Sequence, residues 1–232
     1  MAAGDDPLSP PGKVKPVRAR TLVLGTRNPG KLREITQVLG DLPVRVVGLD
    51  EFPAVPEPVE DGATFAENAR NKALHYARAT RHWCLADDSG LEVDALNGAP
   101  GVRSARYAAD HCPTGADRLT IDQANNAKLL SVLEGVGDER RTARFVCHLA
   151  LADPEHVFIE TFDTVEGRIG YEPRGSNGFG YDPLFFIPEA GCTTAELPEE
   201  EKNRISHRGK AVRHFAGLLK TFLGQEQHEQ GS

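Results

Sequence analysis

Gly25, Gly30 and Lys31 stand at the spacing G-x-x-x-x-G-K within LVLGTRNPGKLRE, residues 22–34. A P-loop of that form needs Ser or Thr next, because that hydroxyl binds Mg2+ beside the phosphates. Leu32 stands there instead. A Gly-rich turn feeding a helix can still hold an anion, since free backbone N–H groups and the helix dipole both favour negative charge. Thr26, Asn28 and Lys31 add side-chain donors. The competing interpretation is a tight turn with a surface lysine. If the turn holds phosphate, carboxylates are needed for the metal, because Mg2+ is satisfied by carboxylates, phosphate oxygens and water. Two acid pairs are candidates, Glu60–Asp61 in VEDG and Asp87–Asp88 in ADDSG. Neighbouring residues of a strand point to opposite sides. Asp87 and Asp88 are therefore expected to differ in role, one facing a cleft and the other accepting from turn N–H groups. D-D-S-G is equally good chemistry for a plain turn.

Two later stretches also carry chemistry. GFGYDP sets Phe179 and Tyr181 among glycines, ahead of Asp182 and Pro183. Such rings either pack beneath the loop or offer a platform for a flat ligand. EEKNRISHRGKA gathers Lys202, Arg204, His207, Arg208 and Lys210 where a helix should begin. That end of a helix prefers acids, so a bound anion would explain the cluster; an exposed charged turn is the alternative. His75 and His148 stand singly and read as surface or core residues.

These residues need elements to hold them. Thr21–Leu24 is a β-rich run, and Leu32, Ile35, Val38 and Leu39 follow at helical spacing, giving strand, turn and helix. Thr64 and Glu67 form a capping box, so a helix should start near Phe65, with Ala69, Ala73, Tyr76 and Ala77 on its buried face. Trp83–Ala86 reads as a buried strand ending at DDSG, and 122–133 as a helix. Residues 144–152 and 157–165 read as a hairpin around DPEH. Ser206 can cap a last helix whose buried face is Val212, Phe215, Ala216, Leu219 and Leu223. The expected fold is α/β with a mixed sheet. Residues 1–20 are expected to form a disordered arm, 21–223 a single domain and 224–232 a tail. The chain has 232 residues, 39% apolar, with a net charge of −7. That suits a globular protein and disfavours nucleic-acid polymers as partners. No run is long enough to span a membrane and no signal peptide is evident. The four cysteines are scattered without a C-x-x-C pair, which points to a reducing cytoplasm.

Taken together, GTRNPGKLRE, EDGATFAENARNKA, LADDSGLEVDALNGAPGVRSARYA, RGSNGFGYDPLFF and TTAELPEEEKNRISHRGKA resemble the inosine triphosphate pyrophosphatase family, in its order, over residues 21 to about 220. The resemblance implies an elongated mixed β-sheet flanked by helices, with two lobes around a central substrate cleft. It implies hydrolysis of the non-standard purine triphosphates ITP, dITP and XTP to monophosphate and pyrophosphate, with Mg2+, usually by a homodimer. Thr26, Arg27, Asn28, Pro29, Gly30 and Lys31 would wrap the triphosphate and Lys72 would add positive charge. Glu60 and Asp88 would hold the metal, Asp88 would accept the proton, and Ser89 would touch substrate. Phe179, Gly180, Tyr181, Asp182, Lys202, His207 and Arg208 would bind the nucleoside end. One departure is DTVEGRIG, where members often carry a Trp-Pro-Gly run. The alternatives are a pyrophosphatase for damaged pyrimidines, against which His207–Arg208 argues; an inactive nucleotide-binding module, against which Glu60 and Asp88 argue; and a P-loop kinase, against which Leu32 argues.

Overall fold

The computed structural model describes residues 20–40 and 42–229; the expected arm, Arg20 apart, lies outside them. β1 (Arg20–Leu24) leads into α1 (Pro29–Leu39), and β2 (Val44–Gly48) returns parallel to β1. The sequence reading placed no strand at β2. α2 (Phe65–Thr80) then delivers β3 (Trp83–Val93), also parallel to β1. α3 (Arg118–Val132) precedes the hairpin of β4 (Thr142–Ala152) and β5 (Val157–Ile169). β6 (Phe185–Ile187), β7 (Cys192–Thr193), α4 (Glu199–Ile205) and α5 (His207–Glu229) complete the chain. The seven strands form one mixed sheet in the order β2-β1-β3-β4-β5-β6-β7, antiparallel from β3 onward.

β3, β4 and β5 are the backbone of both lobes. At about 3.4 Å per residue, the 13 residues of β5 reach about 44 Å. At one end, α1 and α5 bury Ile35, Leu39, Phe215 and Leu219 against Leu22, Leu85 and Leu149 on one sheet face. α2 buries Ala69, Ala73, Tyr76 and Ala77 on the opposite face. At the other end, Leu129 of α3 and Leu133, which caps it, pack around Leu91, Phe145, Ile169 and Phe185. The small alanines of α2 let the helix lie close to the sheet. Its cap forms with a shift: the Thr64 hydroxyl accepts from Glu67 N–H, but the Glu67 carboxylate accepts from Ala63 N–H.

Some expectations are corrected. ADDSG is not a turn at a strand end but the middle of β3, with Asp87, Asp88 and Ser89 opposite Leu149, His148 and Cys147 of β4. A long antiparallel partner satisfies the backbone there, and the ladder outweighs local turn preference. Neither aspartate is therefore held by turn N–H groups. α3 begins a turn earlier than expected, capped by Asp117, whose carboxylate accepts from Thr120 N–H. β5 runs straight through DTVEGRI, and α5 carries helix to Glu229, into the stretch whose composition reads as a tail.

Candidate active site

Where β1 and β3 deliver their C-terminal halves, a cleft of about 490 Å³ opens between the lobes. Its walls include the turn after β1, Glu60, Lys72, Asp87, Ser89, Phe179 and the Lys202–Arg208 region. That volume lies in the ordinary range for small-molecule sites.

The turn commits most of its amides within itself. Asn28 caps α1, and its side-chain oxygen accepts from Gly30 N–H at 2.9 Å and Lys31 N–H at 3.3 Å, while Pro29 has no N–H to give. The cationic side chain is what remains: Lys31 Nζ meets Asp87 Oδ2 at 2.8 Å. Arg27 lines the cleft and donates to the Val55 carbonyl at 2.8 Å. Thr26, whose hydroxyl accepts from Asn28 N–H, lines the wall.

Strand alternation separates the two aspartates. Asp87 faces Lys31, the Ser89 hydroxyl at 3.0 Å and Arg208 Nε at 3.4 Å. Asp88 faces α2, where Lys72 Nζ lies 2.7 Å from Oδ1 and Asn68 Nδ2 donates to Oδ2 at 3.1 Å. Lys72 also reaches Glu60 Oε1 at 3.0 Å, so one ammonium gathers both carboxylates assigned to metal by resemblance. Among the described residues, the cleft wall contains Lys72, Glu60 and Asp87 but not Asp88, which stands behind Lys72. Asp61 is exposed.

Burial and charge set these carboxyls apart. Burial pushes both upward. At Asp87, Lys31 and Arg208 outweigh it and hold the carboxyl well below the usual carboxylate range. At Asp88 burial outweighs Lys72 and Lys31, and the like charge of Glu60 adds to the push, so the carboxyl remains raised. Burial pushes Lys72 down, but Asp88, Asp87 and Glu60 outweigh it and leave the ammonium raised. Glu60, half-exposed, is lowered, chiefly by Lys72 against burial. The two neighbouring acids are thus pushed in opposite directions, Asp87 held ionised and Asp88 shifted toward its neutral form.

At the other end, Lys202 joins Glu34 at 3.1 Å and Asp182 at 2.6 Å. Arg208 donates to Glu34 and, at 2.7 Å, to the Ser89 hydroxyl. Asp182 also accepts from Phe179 N–H and from the Thr194 hydroxyl. The two aromatic rings split between the two expectations. Tyr181 packs beneath the loop and donates to the Ser104 carbonyl at 2.9 Å. Phe179 faces the cleft, with Lys202 Nζ 4.9 Å and Arg208 Cζ 5.6 Å from its ring centre. Gly30 permits this approach, since a Cβ there would lie 2.7 Å from the ring. Gly180 also lines the cleft. His207 is buried and stacked on Phe145 at 4.9 Å, and burial pushes its imidazole well below its ordinary value, so it is neutral. Arg204 and Lys210 leave the cluster: Arg204 is exposed beside Glu201, and Lys210 donates to the Thr164 carbonyl.

Sequence reasoning passed over Glu34, Asn68, Arg106 and Phe145. Glu34 carried a signal, a carboxylate three residues after Lys31 on the apolar side of α1. Arg106 holds Glu60 by its carboxylate at 3.3 Å and its carbonyl at 2.8 Å. Nothing local marks Arg106 or Phe145. Four inner cations, Lys31, Lys72, Lys202 and Arg208, face five carboxylates, Glu34, Glu60, Asp87, Asp88 and Asp182. With all of them ionised, this set cannot by itself neutralise a triphosphate. Mg2+ takes one or two carboxylates plus phosphate oxygens and water. The Glu60–Asp88 pair, gathered at one cation, fits that donor set.

A mixed sheet whose cleft gathers lysines and acids from the turn after β1 and the middle of β3 defines an α/β protein built for a phosphorylated ligand. The chain matches the Ham1 family over residues 22–218 and belongs to it. A dITP/XTP pyrophosphatase of Geobacter sulfurreducens is 52% identical over 203 residues, covering 88% of this chain and 96% of that one. One from Nitratidesulfovibrio vulgaris is 52% identical, covering 87% and 97%. Among solved structures, a HAM1 protein from Coxiella burnetii superposes with a TM-score of 0.76 at 42% identity, covering 87% of this chain and 99% of that one. A dITP/XTP pyrophosphatase from Mycobacterium abscessus gives 0.67 at 42% identity, covering 84% and 98%.

Proposed function

We propose that this chain hydrolyses ITP, dITP and XTP to the nucleoside monophosphate and pyrophosphate. The observation that carries the proposal is the cleft of shared lysines and carboxylates, on a chain about half identical to dITP/XTP pyrophosphatases. Asp88, with its raised carboxyl, takes a proton from the attacking water. The water oxygen bonds to the α-phosphorus, and the bond from that phosphorus to the α–β bridging oxygen breaks. Lys31 and Lys72 offset the charge on the departing pyrophosphate. Lys72 lines the cleft and keeps a third N–H beyond its bonds to Glu60 and Asp88 for that purpose. Asp87 stays ionised and fixes Lys31 and Arg208. Ser89, bonded to both Asp87 and Arg208, lines the cleft and would touch substrate. Glu60 and Asp88 would hold Mg2+, which when bound neutralises phosphate charge. Thr26, Asn28 and Lys31 border the phosphates, while Phe179, Lys202, His207 and Arg208 enclose the base.

A cytoplasmic homodimer completes the proposal. All four cysteines are free thiols, as a reducing compartment requires, and no described helix is long and apolar enough to cross a membrane. Phe162 leaves a ring 60% exposed on β5 that a second copy could cover.

Removing divalent cations with a chelator should abolish pyrophosphate release from ITP, and Ca2+ should restore it poorly, being larger and more loosely coordinated. Glu60→Gln should raise the Mg2+ concentration for half-maximal rate, because it removes one of the two carboxylates that would hold the ion. An unchanged Mg2+ titration in that variant would remove Glu60 from the metal site.

A further inference from the structure

One turn of α3 presents Asp122, Asn125 and Asn126 on a single face, at the i, i+3 and i+4 spacing that groups side chains. All three are turned to the loops of the cleft rather than to solvent. Asp122 Oδ2 accepts from Gly180 N–H at 2.8 Å. Asn126 Nδ2 donates to the Gly180 carbonyl at 3.0 Å. Both backbone groups of one glycine are therefore held by one helix. Asn125 does the same for the opposing loop, accepting from Ala108 N–H and donating to the Ser104 carbonyl, where Tyr181 also bonds.

Gly180 is where such a pin has most effect. Its φ of +64° lies in the left-handed region, which glycine enters and leaves freely. It sits between Phe179, facing the cleft, and Tyr181, packed beneath. Rotation at Gly180 would swing Phe179 away from Lys202 and Arg208. Asp122 is buried in the cleft wall, and Arg118 lies 3.0 Å from its second oxygen without hydrogen-bond alignment. A buried carboxylate is costly unless well satisfied, and the best-formed bond it makes is to the loop amide.

We infer that Asp122 and Asn126 are positioning residues that lock Gly180 and so pre-form the Phe179 face of the base site. This rests on the pyrophosphatase proposal for the identity of the ligand. Ordering a loop during binding costs affinity, so releasing the lock raises KM and leaves the chemical step alone.

The test compares ITP kinetics of four variants. Asp122→Ala should raise KM by roughly tenfold or more, the scale of a lost charge-assisted hydrogen bond, with kcat within about threefold. Asp122→Asn keeps an acceptor for Gly180 N–H and should restore KM to within about threefold of wild type. Asn126→Asp sets an acceptor against the Gly180 carbonyl and should raise KM more than Asn126→Ala does. A merely structural role would not produce that rescue or that ordering. An unchanged KM in Asp122→Ala, a fall in kcat at constant KM, or Asn126→Asp no worse than Asn126→Ala overturns the inference. If Asp122→Ala does not fold, the Asn126 pair decides. Absence of ITP turnover by wild type would instead overturn the pyrophosphatase proposal. Hydrogen exchange at the Gly180 amide then decides the inference, which predicts faster exchange in Asp122→Ala than in Asp122→Asn and falls if the two rates are equal.

Discussion

Asp88→Asn should lower kcat for ITP by about 10²–10⁴-fold, the usual cost of losing a general base, with the fold intact by circular dichroism. The amide keeps the shape of the side chain and an oxygen for Lys72, which sits 2.7 Å away in the native protein. It loses charge and basicity, and weaker metal binding adds to the loss. The pH dependence has a definite sign. A proton acceptor works ionised, so activity is full above its pKa and is lost as pH falls through it. Burial raises that pKa at Asp88 against Lys72. The acid limb of the kcat/KM profile should therefore belong to Asp88 and be absent from the residual activity of the variant. A kcat within a few-fold of wild type would remove Asp88 from the chemistry.

Arg208→Ala should reduce kcat/KM for ITP by about 10²-fold and for ATP far less. Hypoxanthine carries a 6-oxo acceptor where adenine carries an amino donor. A site built to donate leaves its donors unpaired against adenine, and such mismatches discriminate far more strongly than missing apolar contact. Three bonds hold the guanidinium, to Glu34, Asp87 and Ser89, leaving its other N–H groups for a ligand. Removing one partner from a buried ion pair costs about 3–5 kcal/mol, so the melting temperature should fall as well. Glu34 keeps Lys202 and Asp87 keeps Lys31, which limits the damage. The ITP-to-ATP ratio, measured on one preparation, is independent of the fraction folded. Equal loss of both activities would place Arg208 in stability alone.

Local signals predicted the elements that hold the phosphate end. Apolar spacing at Leu32, Ile35 and Leu39, the Thr64 cap and the DPEH turn each act within a few residues, and each formed. What the sequence hid was tertiary. D-D-S-G favours a turn on its own, and the ladder to β4 makes it strand. Gly-rich turns suggest free amides, yet the Asn28 side chain uses two of them. Glu34, Asn68, Asp122 and Asn126 are ordinary helix residues until the fold brings them to Arg208, Asp88 and Gly180. The family motifs led to the cleft. They did not show that Asp87 lines its wall while Asp88 stands behind Lys72.

The most direct measurement is hydrolysis of a triphosphate panel, ITP, dITP, XTP, ATP and GTP, in ¹⁸O-labelled water with every product identified. ITP, dITP and XTP should be cleaved much faster than ATP or GTP. GTP shares the 6-oxo group, so its rejection must arise at the 2-amino group. Deoxyribose should be tolerated, since no residue of the cleft is assigned to the 2′-hydroxyl. The label should appear in the nucleoside monophosphate and the pyrophosphate should be unlabelled, one per turnover, as attack at the α-phosphorus requires. Label in pyrophosphate or orthophosphate, or ATP cleaved as readily as ITP, would contradict the proposed reaction.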